Sequence, residues 1–302
     1  MFDHKLLTLS REVQSAIAAD KSLVALESTV IAHGLPRPQN LETAQRLEQI
    51  VREAGATPAT IAILDGQLTV GLSDEQIRFL AENAEIRKVS IRDLPLAMAQ
   101  HWNGATTVAS TSWIANRAGI SVFATGGIGG VHRGSLPDIS GDLPALATTS
   151  IVVVCSGAKI VLDLPATREW LETHGITVIG YQCDELPAFY SRRSGLPVDV
   201  RVETAEEVVQ IFLAQQALGV ERALVVAVPV PSESEVPAPT LERALNEALA
   251  DAERQAVGGR ELTPFLLSRM AQASEGATLA ANIALLENNA RVAAEIAKAL
   301  AN

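Results

Sequence analysis

Two residues with reactive side chains follow short apolar runs. Glu27 comes directly after LVAL at residues 23–26, and Lys159 comes four residues after IVVVC at residues 151–155. A carboxyl group can donate and accept protons, and an amine partly shielded from water is more easily neutral and nucleophilic. A loop or helix-terminal carboxylate and an exposed loop lysine fit the same spacing. The pattern therefore indicates a candidate acid–base residue and a candidate nucleophile, and it leaves the non-catalytic alternatives open.

A glycine-rich stretch, FATGGIGGVHRG, occupies residues 123–134. It fails the dinucleotide pattern GxGxxG because His132 replaces the third glycine, and it fails the P-loop pattern because Ser135 replaces the lysine. Its N–H groups, with the side chains of His132 and Arg133, favour a nest for a phosphate or carboxylate, and a tight turn is the alternative. We expect the glycines to let the chain closely approach a bound sugar phosphate or the residues beside it.

The stretch DISGDL at residues 138–143 places Asp138 and Asp142 four positions apart, with Ser140 between them. Two carboxylates and a hydroxyl in a short loop suit a hard cation with oxygen ligands. A helix N-cap at Ser140 or Asp142 is the alternative. No HExxH motif and no cluster of cysteine and histidine indicates a zinc site.

Two further stretches could hold an anion. NGATTVAST at residues 103–111 has small and hydroxyl side chains at the expected start of a helix, where N–H groups and the helix dipole attract phosphate. Lys88 lies in the charged strand RKVSIRD at residues 87–93, which is also typical of a solvated sheet edge.

Short apolar runs that alternate with helical patterns must position these residues. They predict strands at residues 23–26, 60–64, 86–91, 121–125, 151–155, 176–180 and 223–228. Such strands indicate an α/β fold with a mostly parallel central sheet covered on both faces, followed by a helical part after Pro229. Ligands of open parallel sheets bind beyond the carboxyl ends of the strands. We therefore expect Glu27, Thr125, Lys159 and Gln182 to face one crevice.

Local signals predict a helix and a hairpin near the start of the chain. Residues 40–56 have the spacing of an amphipathic helix with Asn40 as its N-cap. TIAIL at residues 60–64 and QLTVG at residues 67–71 flank Asp65-Gly66, which predicts a β-hairpin.

Composition excludes several classes of protein. The chain has 302 residues and a formal net charge of −11, which argues against a nucleic-acid-binding surface. Its apolar runs are shorter than the roughly 20 residues that cross a bilayer, and no signal-peptide pattern opens the sequence. Cys155 and Cys183, the two cysteines, are predicted to be buried free thiols. We therefore expect a cytoplasmic protein without nucleic-acid or membrane partners.

Eight ordered stretches give the chain a family resemblance. They are VALESTVIAHGLPRPQN, PATIAIL, RKVSIRDLP, NGATTVAST, VFATGGIGGVHRG, DISGDL, VVCSGAK and LTPFLL. Over about residues 10–300 the chain resembles the pseudouridine-5′-phosphate glycosidases, also called indigoidine-synthesis-A-like proteins. The resemblance implies one domain over residues 1–302, a layered α/β/α fold and a homotrimer. It also implies reversible, water-dependent cleavage of pseudouridine 5′-phosphate to uracil and ribose 5-phosphate, with one Mn²⁺ per subunit.

The resemblance also implies roles for single residues. The GAK lysine falls on Lys159 as the nucleophile, the LEST glutamate on Glu27 as the proton donor, and the DIS aspartate on Asp138 as the metal-linked residue. Positions near the substrate fall on Lys88, Val108 through its backbone, Thr125, His132, Ser140, Gly141, Asp142 and Asn282. The segment SLP at residues 135–137 is shorter than in the family, so Asp138 is expected to approach the metal differently.

Two other functions are compatible with the same residues. One is a Schiff-base aldolase that acts on another sugar phosphate, and the other is a non-catalytic sugar-phosphate sensor. Release of uracil distinguishes the glycosidase from the aldolase, and binding without turnover would indicate the sensor.

Overall fold

One sheet organises the part of the chain that the structure, a computed structural model, describes: residues 3–134, 138–259 and 262–301. The strands are β1 Leu7–Leu9, β2 Leu23–Glu27, β3 Thr57–Leu64, β4 Gln67–Val70, β5 Arg87–Val89, β6 Gly104–Thr106, β7 Val122–Ala124, β8 Val152–Cys155, β9 Thr177–Tyr181, β10 Val200–Val202 and β11 Leu224–Ala227. The helices are α1 Arg11–Ala18, α2 Gln39–Glu53, α3 Asp74–Glu82, α4 Leu94–Ala99, α5 Val108–Arg117, α6 Asp142–Leu146, α7 Leu164–Thr173, α8 Ala205–Ala217, α9 Ala238–Arg254, α10 Leu262–Ala273 and α11 Ala277–Ala301.

The sheet is mostly parallel, as predicted. Its order is β1-β4-β3-β2-β7-β8-β11-β9-β10, and β6 pairs with β3 and β5. Among these strands, β3 pairs antiparallel with β4 and β6, and the other pairings are parallel. The carboxyl ends of β2, β7 and β8 are therefore neighbours.

The central strands are buried on both faces, which explains their continuous apolar sequences. Every residue of β2, β7, β8 and β11 is buried. One hydrophobic cluster includes residues from Val13 to Ala297, and α11 packs against β2, β7 and β8. The last helix therefore reaches the same strand ends as the reactive residues.

The hairpin prediction is confirmed, and the N-cap prediction is wrong. β3 and β4 pair antiparallel around Asp65 and Gly66, both of which have positive φ. Asn40 lies inside α2 and is buried, and its Nδ2 donates to Ile31 O at 2.9 Å and Ala81 O at 3.0 Å. The Asn40 amide makes tertiary hydrogen bonds and therefore does not cap the first turn of α2.

None of the helices within the described residues combines the length and the apolar character that a membrane span requires.

Glu48 on α2 is a buried carboxyl that should make stability depend on pH. It accepts a hydrogen bond from Thr60 Oγ1 at 2.6 Å and pairs with Arg52 Nη2 at 3.1 Å. Burial raises the pKa of Glu48 despite both contacts. A raised pKa in the folded state favours folding below the ordinary value of 4.5, and this contribution is lost as pH rises through the raised pKa.

As pH rises from 4.5 to neutral, the free energy of unfolding should therefore fall less for Glu48→Gln than for the parent chain. Urea unfolding at a series of pH values measures this. The matched control is Glu53→Gln, an exposed residue on the same helix that pairs with Arg46. Identical pH profiles for Glu48→Gln and the parent chain would contradict the expectation.

Candidate active site

A cleft of about 740 Å³ opens at the carboxyl ends of β2 and β8. Its lining residues include Glu27, Lys88, Val108, His132, Asp138 and Lys159. A narrower inner pocket shares Glu27, Lys88 and Lys159 with the cleft and adds the apolar side chains Phe189, Leu267 and Leu286, with Asn282. The acid–base residue and the nucleophile predicted from sequence therefore lie in one site, where the cleft and the inner pocket share residues.

Glu27 ends β2 as a buried carboxyl, with 7% of its surface exposed. Desolvation by burial raises its pKa, and the positive charge of Lys159 is the largest influence that lowers it. Thr125 Oγ1 donates a hydrogen bond to Glu27 Oε1, which also favours the ionised form. A carboxyl group in such surroundings can hold a proton for delivery to a substrate.

Thr125 supports Glu27 through a hydrogen bond. It directly follows β7, is 2% exposed and directs its hydroxyl to the carboxyl group. Thr125 therefore acts on Glu27 in this structure, and its predicted place near the substrate stays a prediction.

Lys159 is half-buried in the cleft wall, so the alternative of an exposed loop lysine does not hold. It follows a tight turn at the end of β8, where Gly157 has a φ of +75° and a Cβ would overlap Pro187 O. The Lys159 N–H donates to Ile128 O at 3.2 Å, which ties this turn to the glycine-rich stretch.

The glycines of residues 123–134 closely approach protein side chains. A Cβ on Gly129 would overlap the Ser140 hydroxyl and lie 2.6 Å from Asp142 Oδ2, and one on Gly127 would lie 2.8 Å from the Phe189 ring. Gly129 also lines the cleft and Gly127 lines the inner pocket, so their approach to a bound sugar phosphate stays a prediction. Their lack of side chains lets the loop pack against the residues that shape the cleft.

Asp142 joins three segments of the site through its carboxylate. Oδ1 accepts from Ala109 N at 2.9 Å, and Oδ2 accepts from Gly129 N at 2.9 Å. Asp142 N donates to Ser140 Oγ at 3.3 Å, but Gly141 is the N-cap of α6 and no side chain caps this helix, so the N-cap alternative is wrong for Ser140 and Asp142. The Asp142 carboxylate thus connects α6 to the start of α5 and to the glycine-rich stretch.

The start of α5 leaves a backbone donor facing the cleft. Thr107 and Ser110 form a reciprocal capping box, and Ala109 N–H is held by Asp142. No hydrogen bond among the described residues engages the Val108 N–H, and Val108 lines the cleft. Lys88, His132, Ser140 and Gly141 line the same cleft. The structure therefore brings the predicted anion-binding residues together, and their contacts with substrate stay predictions.

Asp138 is an exposed carboxylate on the cleft wall, and its carbonyl accepts from His132 N at 2.8 Å. Among the residues that the structure describes, no three or more His, Cys, Asp or Glu side chains form a group that could hold a metal. One carboxylate fits a hydrated divalent cation that also binds a substrate phosphate, but it does not fit an all-protein cage. Residues 135–137, the short segment predicted to affect Asp138, lie outside the described residues.

Gln182 is the strand-end residue that the sequence placed wrongly. It is exposed, and its Nε2 donates to Glu203 O at 3.0 Å. The reason is strand order, because β11 lies between β8 and β9 in the sheet. The end of β9 is therefore two positions away from the end of β8.

Phe189 lines the site and Asn289 contacts Gly126 of the site, and neither was identified from the sequence. Phe189 has a φ of +63°, donates its N–H to Ser156 O at 3.0 Å and lines the inner pocket. Nothing in its sequence context indicates this position. Asn289 lies seven residues after Asn282 on α11, on a face that also carries buried leucines. A polar residue at a buried helical position needs a hydrogen-bonding partner, and that signal could have identified it.

Gly129→Ala should disable the site. The added Cβ would displace Ser140 and Asp142, and a misplacement of about 1 Å can cost roughly 100-fold in rate. We therefore expect a loss of kcat of about that size in a steady-state assay. The control is Gly258→Ala, because a Cβ there meets nothing within 4 Å and no positive φ opposes it. Equal rates for the two variants would show that the packing around Gly129 does not shape the site.

The family model for "Indigoidine synthase A like protein" matches residues 12–299. The chain belongs to this family. The indigoidine synthase A-like assignment covers both reactive residues and the whole sheet from β2 onward.

Curated relatives carry one name. The chain is 51% identical over 297 residues to the pseudouridine-5′-phosphate glycosidase of Escherichia coli strain K12, covering 97% of this chain and 95% of that protein. It is 50% identical over 296 residues to the protein of that name from Caldanaerobacter subterraneus subsp. tengcongensis, covering 97% and 96%. These lengths show that the similarity covers the whole fold.

Two solved structures share the architecture of this chain. An indigoidine synthase A-like protein from Thermotoga maritima aligns with a TM-score of 0.90 at 38% identity, covering 100% of this chain and 99% of that one. The prealnumycin C-glycosynthase AlnA, solved in complex with ribulose 5-phosphate, aligns with a TM-score of 0.90 at 40% identity, covering 99% and 98%.

Proposed function

We propose that the chain is a pseudouridine-5′-phosphate glycosidase, which reversibly cleaves its substrate with water to uracil and ribose 5-phosphate. The observation that carries the proposal is the buried Glu27 carboxyl in the same cleft as the half-buried Lys159 amine. The name of the curated relatives supports the substrate. The complex of AlnA with ribulose 5-phosphate supports a site that accepts a pentose phosphate.

The outer cleft and the inner pocket suit the two ends of this substrate. The outer cleft offers Lys88, the Val108 N–H, His132 and the Ser140 hydroxyl, which are donors or cations for a phosphate. The inner pocket combines apolar side chains such as Phe189 with polar ones such as Asn282 and His33, which suits a flat pyrimidine ring with polar edges. Glu27 and Lys159 lie at the junction, where the sugar carbon C1′ would lie.

The bond to be broken explains why a nucleophilic amine is needed. Pseudouridine joins ribose to uracil through carbon C5 of the base, and this carbon has no lone pair for an acid to protonate. Opening the sugar ring provides another route, because the pyrimidine can push electrons towards C1′ while the bond from C1′ to the ring oxygen breaks. Glu27 donates the proton that this oxygen takes up.

Lys159 then adds its amine nitrogen to C1′ and forms a covalent bond with the opened sugar. The added nitrogen then gives a proton to the Glu27 carboxylate, and Glu27 passes this proton to C5 of the base. The C1′–C5 bond breaks, and uracil leaves with the bonding electron pair. The nitrogen lone pair of Lys159 forms an iminium with C1′, and water adds to C1′ and releases ribose 5-phosphate. One substrate and one water thus give the two products, and both the carboxyl and the amine are regenerated.

We also propose that Asp138 holds one Mn²⁺ through its carboxylate, together with water and the substrate phosphate. A bound cation would supply charge neutralisation at the phosphate, which holds the sugar in place during ring opening. Asp138 is suited to this because its side chain is exposed in the outer cleft, whereas the Asp142 carboxylate is held by two backbone donors.

A homotrimer in the cytoplasm completes the proposal and follows from the family resemblance. Sedimentation equilibrium would measure the mass of the assembly directly, and a monomer or dimer would contradict the trimer.

The proposal is tested by incubating the chain with pseudouridine 5′-phosphate and Mn²⁺ and quantifying uracil. We expect stoichiometric uracil and ribose 5-phosphate, loss of activity with chelator and recovery with Mn²⁺. Cleavage that is indifferent to chelator would remove the metal from the proposal. Binding without uracil release would favour a sensor, and turnover of other sugar phosphates alone would favour an aldolase.

A further inference from the structure

Asn289 on α11 is a buried polar residue that the proposed mechanism does not use. Its side chain is fully buried, with 0% exposed, yet every polar atom of its amide meets a partner. Nδ2 donates to Thr125 O at 2.8 Å, to Gly126 O at 3.4 Å and to Ser156 Oγ at 3.2 Å. Oδ1 lies 3.3 Å from Ser156 Oγ, within reach of that hydroxyl.

These partners directly follow two neighbouring strands. Thr125 and Gly126 follow β7, and Ser156 follows β8. The two strand ends also bond to each other, because Ser156 N donates to Gly126 O at 2.9 Å. The Asn289 amide therefore bridges the two ends from the side of α11.

Each strand end supports or carries one group of the proposed reaction. Thr125 Oγ1 donates to the Glu27 carboxyl, so the β7 end supports the proton donor. Ser156 opens the turn through Gly157 to Lys159, so the β8 end carries the nucleophile. A shift between the two ends would change the separation of carboxyl and amine.

We infer that Asn289 is a positioning residue, which sets the placement of Glu27 relative to Lys159 by holding the ends of β7 and β8 together against α11. The inference rests on the proposed function, because it assigns Asn289 to the reaction that Glu27 and Lys159 carry out. Asn289 itself contacts backbone carbonyls and a serine hydroxyl, so its effect is exerted through Thr125 and Ser156.

The test compares three variants in the cleavage of pseudouridine 5′-phosphate. Asn289→Asp keeps the shape of the side chain, removes its donors and places an acceptor against two carbonyls. Ser156→Ala removes one partner with minimal change in volume. Asn288→Asp is the matched control, since it makes the same change one residue away, where Nδ2 donates to Pro229 O at 3.5 Å.

We expect Asn289→Asp to lower kcat by roughly 10- to 100-fold, while KM changes by less than about threefold because the outer cleft is intact. Ser156→Ala should lower kcat by a smaller factor with KM also retained. Asn288→Asp should leave both constants within about twofold. Thermal unfolding identifies a variant that does not fold, and Ser156→Ala decides the question if Asn289→Asp is lost.

Three results would overturn the inference. The first is a parent-like kcat in folded Asn289→Asp or, if that variant does not fold, in Ser156→Ala. The others are a rise in KM as large as the fall in kcat, or an equal fall in kcat in Asn288→Asp. Cleavage of pseudouridine 5′-phosphate by the parent chain distinguishes failure of this inference from failure of the proposed function. If the parent chain leaves pseudouridine 5′-phosphate intact, the proposed function fails first and the positioning role falls with it.

Discussion

Lys159→Ala is expected to lower kcat for pseudouridine 5′-phosphate by about 10⁴-fold or more, the scale seen when a covalent nucleophile is removed. Without the amine, the opened sugar has no nitrogen whose lone pair can drive cleavage of the C1′–C5 bond. The side chain is half-buried in the cleft wall, so its removal leaves the core unchanged. The unfolding midpoint should therefore stay close to that of the parent chain below pH 4.5, and it should fall at neutral pH because Lys159 no longer offsets the buried charge of Glu27.

A covalent adduct provides a second measurement of the same expectation. Borohydride added with ribose 5-phosphate should reduce the iminium and fix the sugar on Lys159, where peptide mass analysis locates it. Lys298→Ala is the matched control, because Lys298 is exposed on α11 beside Gly55. It should retain both turnover and the adduct. An adduct on Lys88, which also lines the cleft, would exchange the roles of the two lysines.

Much of the sheet could be predicted from sequence because its central strands are buried on both faces. Continuous apolar runs such as those of β8 and β11 have no other explanation in a chain without membrane-length segments. The short strands β1 and β10 could not be predicted in this way. Each has three residues and a mixed burial pattern, and each is a strand only because β4 or β9 offers a pairing edge.

The same physics explains the outcome at the site. The rule that ligands bind at the carboxyl ends of parallel strands correctly placed Glu27 and Lys159 in one cleft. The rule failed for Gln182 because strand order in the sheet, which sequence does not reveal, separates β9 from β8. The glycines were recognised as sites of close approach, but their neighbours proved to be protein side chains such as those of Asp142 and Phe189. Long-range neighbours of this kind depend on the completed fold.

The surroundings of Glu27 set the pH range in which the reaction can proceed. Burial raises its pKa, while Lys159, Thr125 and Lys88 oppose that effect and Asp142 adds to it. The proton donor is active when protonated, so kcat should fall as pH rises through this raised pKa. Thr125→Val removes a hydrogen bond that favours the ionised form and should move the decline to higher pH. A decline that moved to lower pH would contradict this assignment.

Glu27→Gln removes the proton while retaining the shape of the side chain, so we expect kcat to fall by roughly 10²- to 10⁴-fold with little change in KM.

The same Glu27→Gln variant should be more stable than the parent chain at neutral pH. A carboxyl whose folded pKa is raised favours folding below its ordinary value of 4.5, and that contribution is lost as pH rises through the raised pKa. A neutral amide avoids this loss, so the unfolding midpoint should depend less on pH. Loss of activity with a lower midpoint at neutral pH would instead mean that the carboxylate stabilises the site, and a pure rise in KM would assign Glu27 to substrate binding alone.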